Sequence, residues 1–172
     1  MLCCFQAFPT LRLAFHQAPQ PWHPQGTAMH EAVLALRQIG LGAGADEAYL
    51  AAMTWAFKIQ PEFVDVATYE LSRKDLYAKL AASAVAEGLL ADAAPLLALL
   101  EIKVGPNGER NSGNATFKDF TLVCKYHRQR SVHVTPTCAV NGIICDTSSG
   151  WTVLEWKHFL SGVLPATHEH AQ

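Results

Sequence analysis

Residues 131–164, SVHVTPTCAVNGIICDTSSGWTVLEWKHFLSGVL, contain the local patterns that decide a supersecondary structure. An apolar run over residues 132–140 meets Asn141 and Gly142 and continues through residues 143–145. Two apolar runs joined by Asn-Gly are typical of an antiparallel hairpin with a two-residue type I′ turn. The stretch therefore predicts two short strands that pair across Asn141 and Gly142.

A helix is predicted directly after this hairpin. Thr152 can cap its first turn, and Glu155, three residues later, can reach back to the cap. Trp151 before the cap can pack on Trp156, which is the arrangement called a hydrophobic staple. We expect the helix to begin at about Thr152 and to run to Leu164, because the following proline cannot continue it.

Pro136 is the irregular feature of the first predicted strand. A proline removes a ladder donor, so it is confined to strand edges, strand starts or bulges. The motif VTPT at residues 134–137, followed by VNG at 140–142 and a terminal helix, resembles the second half of a thioredoxin fold, and more closely that of the DsbA-like family. The resemblance implies that Pro136 is cis and faces an active-site dithiol. The alternative is a trans-proline at the entrance of a strand.

A second segment resembles the same family. Residues 15–24, FHQAPQPWHP, contain three closely spaced prolines. These prolines prevent both an α-helix and the hydrogen bonds of a β-sheet, and they keep the loop extended. The apolar run before them, residues 11–16, is consistent with a buried strand. In DsbA-like proteins such a loop is the rigid connection from a core strand into a helical insertion.

The helical insertion is predicted over residues 26–115. Apolar residues recur near helical spacing in several segments that end at glycine or proline. Ser72 and Asp75 form a capping box ahead of one of these segments. The expected helices cover residues 27–39, 46–58, 76–87 and part of 89–102, and a later one covers about 117–130.

The fold class that we expect is α/β, with one thioredoxin-like (DsbA-like) domain over residues 1–172. Its core would contain the strand at 11–16, the hairpin and the final helix. The family's nucleophile is the first cysteine of a Cys-x-x-Cys at a helix N-terminus. The ten residues before the predicted strand cannot hold a strand, this motif and a helix, which average about 6 and 11 residues, and Cys3-Cys4 is an adjacent pair.

Three explanations for this missing strand and helix stay open. The chain can be an N-terminally truncated form, another segment or subunit can fill the gap, or the strand at 11–16 can pair directly with the hairpin. Truncation is the favoured explanation. A sheet without its central strand has unpaired edges, so an oligomer that forms through such an edge is a further expectation.

Cys138 and Cys145 face each other in the predicted hairpin. With a two-residue turn, the pairs are Val140 with Ile143, Ala139 with Ile144, and Cys138 with Cys145. The third pair is of the hydrogen-bonded kind, with Cα atoms about 5.5 Å apart, within reach of a disulfide. These thiols are therefore the candidate redox pair. The simpler interpretation is two buried thiols that fill the sheet, because cysteine is among the most buried residue types.

Composition excludes several classes of function. A formal charge of -2, 16% charged residues and no basic tract argue against nucleic-acid binding. The most apolar stretch, residues 89–102, is interrupted by Asp92 and Pro95 and is too short to span a membrane. Five cysteines without framework spacing and no recognisable leader favour the cytoplasm. The eight histidines lack metal-ligand spacing, so no metal site is expected.

The resemblance implies a thiol-disulfide oxidoreductase family member that is inactive if it lacks the dithiol. The backbone of Thr135 beside Pro136 would line its substrate-binding groove, and His133 would border the same groove. The partners would be protein thiols or disulfides, or an extended peptide. No cofactor is expected apart from glutathione. The alternatives are a non-catalytic thioredoxin-like binding module and a glutathione-dependent transferase or isomerase.

Overall fold

The computed structural model describes residue 8, residues 11–40 and residues 45–164. These residues are mostly helical and contain one two-stranded sheet, which is compatible with an α/β fold. The chain divides into two compact units. The helical unit is Gln17–Arg130, and the hairpin unit combines Met1–His16 with Ser131–Gln172.

The helical unit contains six described α-helices and one short 3₁₀ segment. Prediction and structure agree on the main helices, although those predicted over residues 27–39 and 76–87 each begin three residues early. The first does so because Pro24 suits a first turn, where its missing N–H costs nothing. The elements are α1 Pro24–Ile39, α2 Ala45–Ile59, the 3₁₀ segment Gln60–Phe63, α3 Asp65–Thr68, α4 Arg73–Ala86, α5 Ala94–Leu100 and α6 Phe117–Gln129. None of these described helices, nor the one in the hairpin unit, is long and apolar enough to cross a membrane.

The predicted capping box at the start of α4 is confirmed. The hydroxyl oxygen of Ser72 accepts from the backbone N–H of Asp75 at 3.1 Å, and a carboxylate oxygen of Asp75 accepts from the N–H of Ser72 at 3.3 Å. The buried helix predicted within residues 89–102 is shorter than expected. It spans only Ala94–Leu100, and Ile102 beyond it is 49% exposed.

One apolar core holds the helical unit together. Alanines on α1 and α4 allow the helix backbones to approach closely, and larger side chains fill the space between them. Trp55 is fully enclosed, and its indole N–H donates to the hydroxyl of Ser83 at 3.1 Å. The most deeply buried members are Ala32, Ala35, Ala52, Trp55, Leu80, Ala81, Ala84, Leu96 and Leu100.

The helical unit extends beyond the predicted insertion of residues 26–115 at both ends. Helix α6 belongs to it, because the side-chain amide of Gln38 on α1 donates to the carboxylate of Asp119 on α6 at 3.1 Å. At the other end, the side chain of Gln17 contacts His30 on α1. The limits of this unit are therefore set by side-chain contacts between distant segments, and not by the ends of the predicted helices.

The hairpin has the predicted register and turn. Strands β1, Cys138–Val140, and β2, Ile143–Cys145, are antiparallel and pair Cys138 with Cys145, Ala139 with Ile144 and Val140 with Ile143. Asn141 and Gly142 have φ angles of 50° and 84°. Positive φ at both central residues is what a type I′ turn requires.

Helix α7, Val153–Val163, also begins as predicted. The hydroxyl oxygen of Thr152 accepts from the N–H of Glu155, and the Glu155 carboxylate accepts from the N–H of Thr152 at 2.6 Å. The rings of Trp151 and Trp156 meet edge to face with centroids 5.0 Å apart. The capping box and the staple are therefore both confirmed.

The predicted strand at residues 11–16 is wrong. These residues are described and lie in no strand or helix, and Leu13 and Phe15 are 42% and 37% exposed. A strand exists only where a neighbour supplies ladder hydrogen bonds, and among the described residues β1 and β2 pair only with each other. An apolar run alone does not supply that neighbour. Cys3 and Cys4 lie outside the described residues.

Candidate functional site

The entrance of β1 forms an exposed turn around Pro136. The Thr135–Pro136 peptide bond is cis, as the resemblance implies. The hydroxyl of Thr137 donates to the carbonyl oxygen of Val134 at 2.5 Å, which closes the turn across the proline. The side chains on both sides of this bond are exposed, Val134 to 60%. The backbone here is therefore within reach of a binding partner.

Thr135 offers polar backbone groups to solvent. In the part of the chain that the structure describes, no hydrogen bond uses its N–H or C=O. Exposed groups of this kind are satisfied by water and can exchange water for a ligand at small cost. The predicted donor and acceptor beside Pro136 are both accessible.

The same pattern continues along β1. Along an antiparallel hairpin, hydrogen-bonded pairs alternate with pairs that are not hydrogen-bonded. The pair that closes the two-residue turn, Val140 with Ile143, is hydrogen-bonded, so the next pair, Ala139 with Ile144, is not. The N–H and C=O of Ala139 consequently point outward from the β1 edge, and those of Ile144 from the β2 edge. Neither edge has a neighbouring strand among the described residues. Such edges can accept another strand.

The thiols of Cys138 and Cys145 are opposite each other, as predicted. Both side chains are half-buried and both thiols are free. The thiol of Cys145 donates to the carbonyl oxygen of Ile143 at 3.3 Å. The hairpin therefore holds two free thiols opposite each other, and Cys138 lies two residues after Pro136.

The electrostatics of Cys138 do not favour a fast nucleophile. Burial raises the pKa of its thiol, the neighbouring Cys145 raises it further, and a hydrogen bond with Thr147 offsets part of this shift. The thiolate is the reactive form of cysteine, and catalytic cysteines have lowered pKa values. Cys138 is thus suited to slow exchange rather than to rapid turnover.

His133 contacts its own loop. Its ring nitrogen Nδ1 is 2.9 Å from the carbonyl oxygen of Ser131, and its side chain is exposed. This contact orients the imidazole at the approach to Pro136. That His133 tunes a thiolate in the groove stays a prediction.

Sequence reasoning missed a buried charged network in the helical unit. Glu31 on α1 is only 3% exposed, and both of its carboxylate oxygens accept from Arg73 at 2.8 and 2.9 Å. The hydroxyl of Tyr77 donates to the same carboxylate at 2.6 Å. Burial and the nearby carboxylate raise the pKa of Tyr77 to about 12. The available signal was a glutamate at helical spacing between Ala28 and Ala35.

A histidine cluster in the helical unit was also missed. Nδ1 of His30 is 3.1 Å from the side-chain oxygen of Gln17. Burial, with a smaller contribution from nearby His127, lowers the pKa of His30 to about 4. His30 is therefore neutral at pH 7, and its role in this unit is structural.

A cavity of about 650 Å³ lies beside the N-terminus of α1. The charged groups on its wall are Asp65 and Arg73. Asp65 accepts from Gln25 at 2.7 Å and lies 3.2 Å from Nδ1 of His23, while Arg73 is paired with Glu31. Because both charges already have partners, the open backbone groups of the hairpin are the better candidate site. No cluster of three or more His, Cys, Asp or Glu side chains among the described residues could hold a metal ion.

Comparison of the sequence with protein-family models and with curated proteins, and of the structure with solved structures, finds no match. The function of this protein is therefore inferred from the geometry of its own residues.

Proposed function

We propose that this protein is a DsbA-like, thioredoxin-fold member of the thiol-disulfide oxidoreductases whose hairpin binds an extended peptide or glutathione without a fast dithiol catalyst. The observation that carries the proposal is the open backbone of Thr135 directly before cis-Pro136, four residues before Ala139 on the outward edge of β1. An extended ligand that pairs with a sheet edge gains main-chain hydrogen bonds, and flanking side chains provide its specificity.

The apolar surface around this edge supports the same ligand class. Val134, Ile143 and Ile144 are 60%, 72% and 53% exposed and flank the backbone groups of the hairpin. An extended peptide with β-branched side chains matches such a surface, because these residues favour strands and gain from burial. A protein segment that carries a thiol or disulfide would add contact with the cysteine pair.

The chemistry of Cys138 supports binding over catalysis. Its raised pKa leaves the thiol protonated at neutral pH, so binding at Thr135 would not be followed by rapid exchange. Free thiols suit a reducing compartment, and we propose the cytoplasm. Pairing of the β1 edge with a second copy of the chain is the corresponding route to an oligomer.

Two matched proline variants test which edge binds. The probe is a blocked pentapeptide of valine and threonine around a central S-methylcysteine, which is extended and cannot form a disulfide. Ala139→Pro removes the outward N–H of β1, and Ile144→Pro removes the equivalent N–H of β2, so neither change removes a hydrogen bond of the hairpin itself. Titration of isotope-labelled protein is followed through the backbone amide signals.

We expect the peptide to shift the amide signals of Thr135, Thr137 and Ala139. Loss of one hydrogen bond of about 1.4 kcal/mol corresponds to roughly tenfold weaker binding, so Ala139→Pro should raise Kd by about that factor. Ile144→Pro should leave Kd unchanged. Equal effects of the two variants, or no shift at Thr135 and Ala139, would exclude the proposed edge. S-methylglutathione in place of the peptide distinguishes the two ligand classes.

A further inference from the structure

The hairpin brings two thiols together in a geometry that permits a bond between them. Cys138 and Cys145 are direct register partners, both are half-buried, and both are free. Their pair is of the hydrogen-bonded kind, for which Cα atoms are about 5.5 Å apart, inside the range of 4.4–6.8 Å that disulfides span. No backbone movement is needed to bring the two residues into reach.

We propose that Cys138 and Cys145 form a reversible intramolecular disulfide by exchange with a low-molecular-weight disulfide such as oxidised glutathione. This modification is independent of peptide binding at Thr135. It would make the hairpin a redox-sensitive element, because the bond closes a ring around the turn at Asn141 and Gly142 and restrains the end of β1 where the edge begins.

The exchange proceeds in two balanced steps. The thiolate of Cys145 attacks one sulfur of oxidised glutathione, which forms a protein–glutathione mixed disulfide and releases one glutathione thiolate. Cys138 then loses its proton to water, and its thiolate attacks the Cys145 sulfur of the mixed disulfide and releases the second glutathione thiolate. The protein loses two protons and two electrons, and one oxidised glutathione becomes two reduced molecules.

Cys145 is the expected site of first attack. Burial and the neighbouring Cys145 disfavour the thiolate of Cys138, whereas the two residues that precede Cys145 on β2 are exposed and leave its sulfur open to glutathione. Cys138 then acts as the resolving thiol. A mixed disulfide on Cys145 also places its sulfur next to Cys138, because the two residues share one register position.

The bond should be labile rather than a permanent staple. Both cysteines are only half-buried, and Ile144 beside Cys145 is 53% exposed, so a disulfide between them is open to attack by glutathione. Exposed disulfides have higher reduction potentials than buried structural ones and are more easily reduced. We therefore expect reduced glutathione in excess to restore both thiols.

The redox state of the two hairpin thiols can be measured in the full chain, and another cysteine of the same chain serves as the control. It is equilibrated in graded mixtures of reduced and oxidised glutathione, remaining thiols are alkylated, and the protein is cleaved after lysine and arginine. Residues 131–157 are then released as one peptide that contains Cys138 and Cys145 and no other cysteine, and residues 119–125 as a peptide that contains only Cys124. The second peptide reports on an ordinary thiol under the same conditions.

The expected product is the 131–157 peptide without alkylation, lighter than its reduced form by two hydrogen atoms, and reversible by reduced glutathione. Cys145→Ser should prevent this loss, and Cys138→Ser should trap one glutathione on Cys145. Cys124→Ser should change nothing. Independent alkylation of both hairpin thiols in every mixture, or one glutathione on each, would overturn the proposal. Neither result depends on whether the hairpin binds a peptide.

Discussion

The helical unit and the hairpin unit obtain their structure by different means. In the helical unit, apolar side chains on α1, α2, α4 and α5 form a shared core, with Leu80, Leu96 and Leu100 fully buried. Among the described residues of the hairpin unit, Leu160 alone is a buried apolar side chain. That unit instead depends on a type I′ turn, a capping box and a tryptophan pair.

This difference sets the scale of the energies involved. Burial of a whole leucine side chain contributes about 2–3 kcal/mol, and its removal also leaves a cavity. A helix cap contributes about 1 kcal/mol. Substitutions in the helical unit should therefore affect the free energy of unfolding more than substitutions of the local devices in the hairpin unit.

The largest effect is expected from Leu80→Ala in the core of the helical unit. Leu80 has no exposed surface, so truncation should lower the free energy of unfolding by about 3–4 kcal/mol through lost burial and a cavity. The matched control is Leu154→Ala on α7, whose side chain is 76% exposed and should change stability by less than about 0.5 kcal/mol. Urea unfolding followed by circular dichroism measures both. Equal losses would contradict the contrast between the units.

A smaller, pH-dependent effect should arise from His30. Its pKa is lowered to about 4 by burial and by His127, from 6.5 in the unfolded chain. The folded state therefore prefers neutral His30, and the stability that this provides is present above pH 6.5 and is lost as the pH falls towards 4. At 1.36 kcal/mol per pKa unit, the loss by pH 4 is about 3 kcal/mol. Unfolding curves between pH 7 and 4 should show this decrease.

The His30→Asn variant should flatten that decrease, because asparagine cannot take up the proton. His133→Asn is the control: His133 is an exposed histidine of the hairpin unit, and its replacement should leave the pH profile unchanged. If His30→Asn unfolded with the same pH profile as the original chain, the acid sensitivity would lie elsewhere.

The smallest effect is expected from Thr152→Ala at the start of α7. Loss of the hydroxyl removes the acceptor for the N–H of Glu155 and should destabilise this helix by about 1 kcal/mol. Hydrogen exchange of the α7 amides should accelerate roughly fivefold. Ser161→Ala, which removes only a hydroxyl that donates to the carbonyl of Lys157, should not accelerate it. Faster exchange in α4 as well would mean that the cap stabilises more than its own unit.

Predictions from the sequence succeeded where the chemistry is local. The Asn141-Gly142 turn determined the register and hence the opposition of Cys138 and Cys145. The capping boxes at Ser72 and Thr152 could be predicted for the same reason, because each involves residues only three positions apart. Such interactions form with little help from the rest of the chain.

Predictions failed where the outcome depends on distant partners. The apolar run at residues 11–16 has the composition of a strand, but no segment within the described part of the chain pairs with it, and it lies outside the sheet. The Glu31–Arg73–Tyr77 network joins side chains 42 and 46 positions apart. No spacing rule connects residues at that separation.

By itself, the sequence determined the hairpin, its register, the two capping boxes and the cysteine pair, since turn geometry and capping act within a few residues. Tertiary structure alone decided which apolar runs become core, which charges are buried and how the chain divides into two units. The physical reason is that burial and strand pairing require contacts between distant segments, and the free energy of those contacts depends on what the fold brings together.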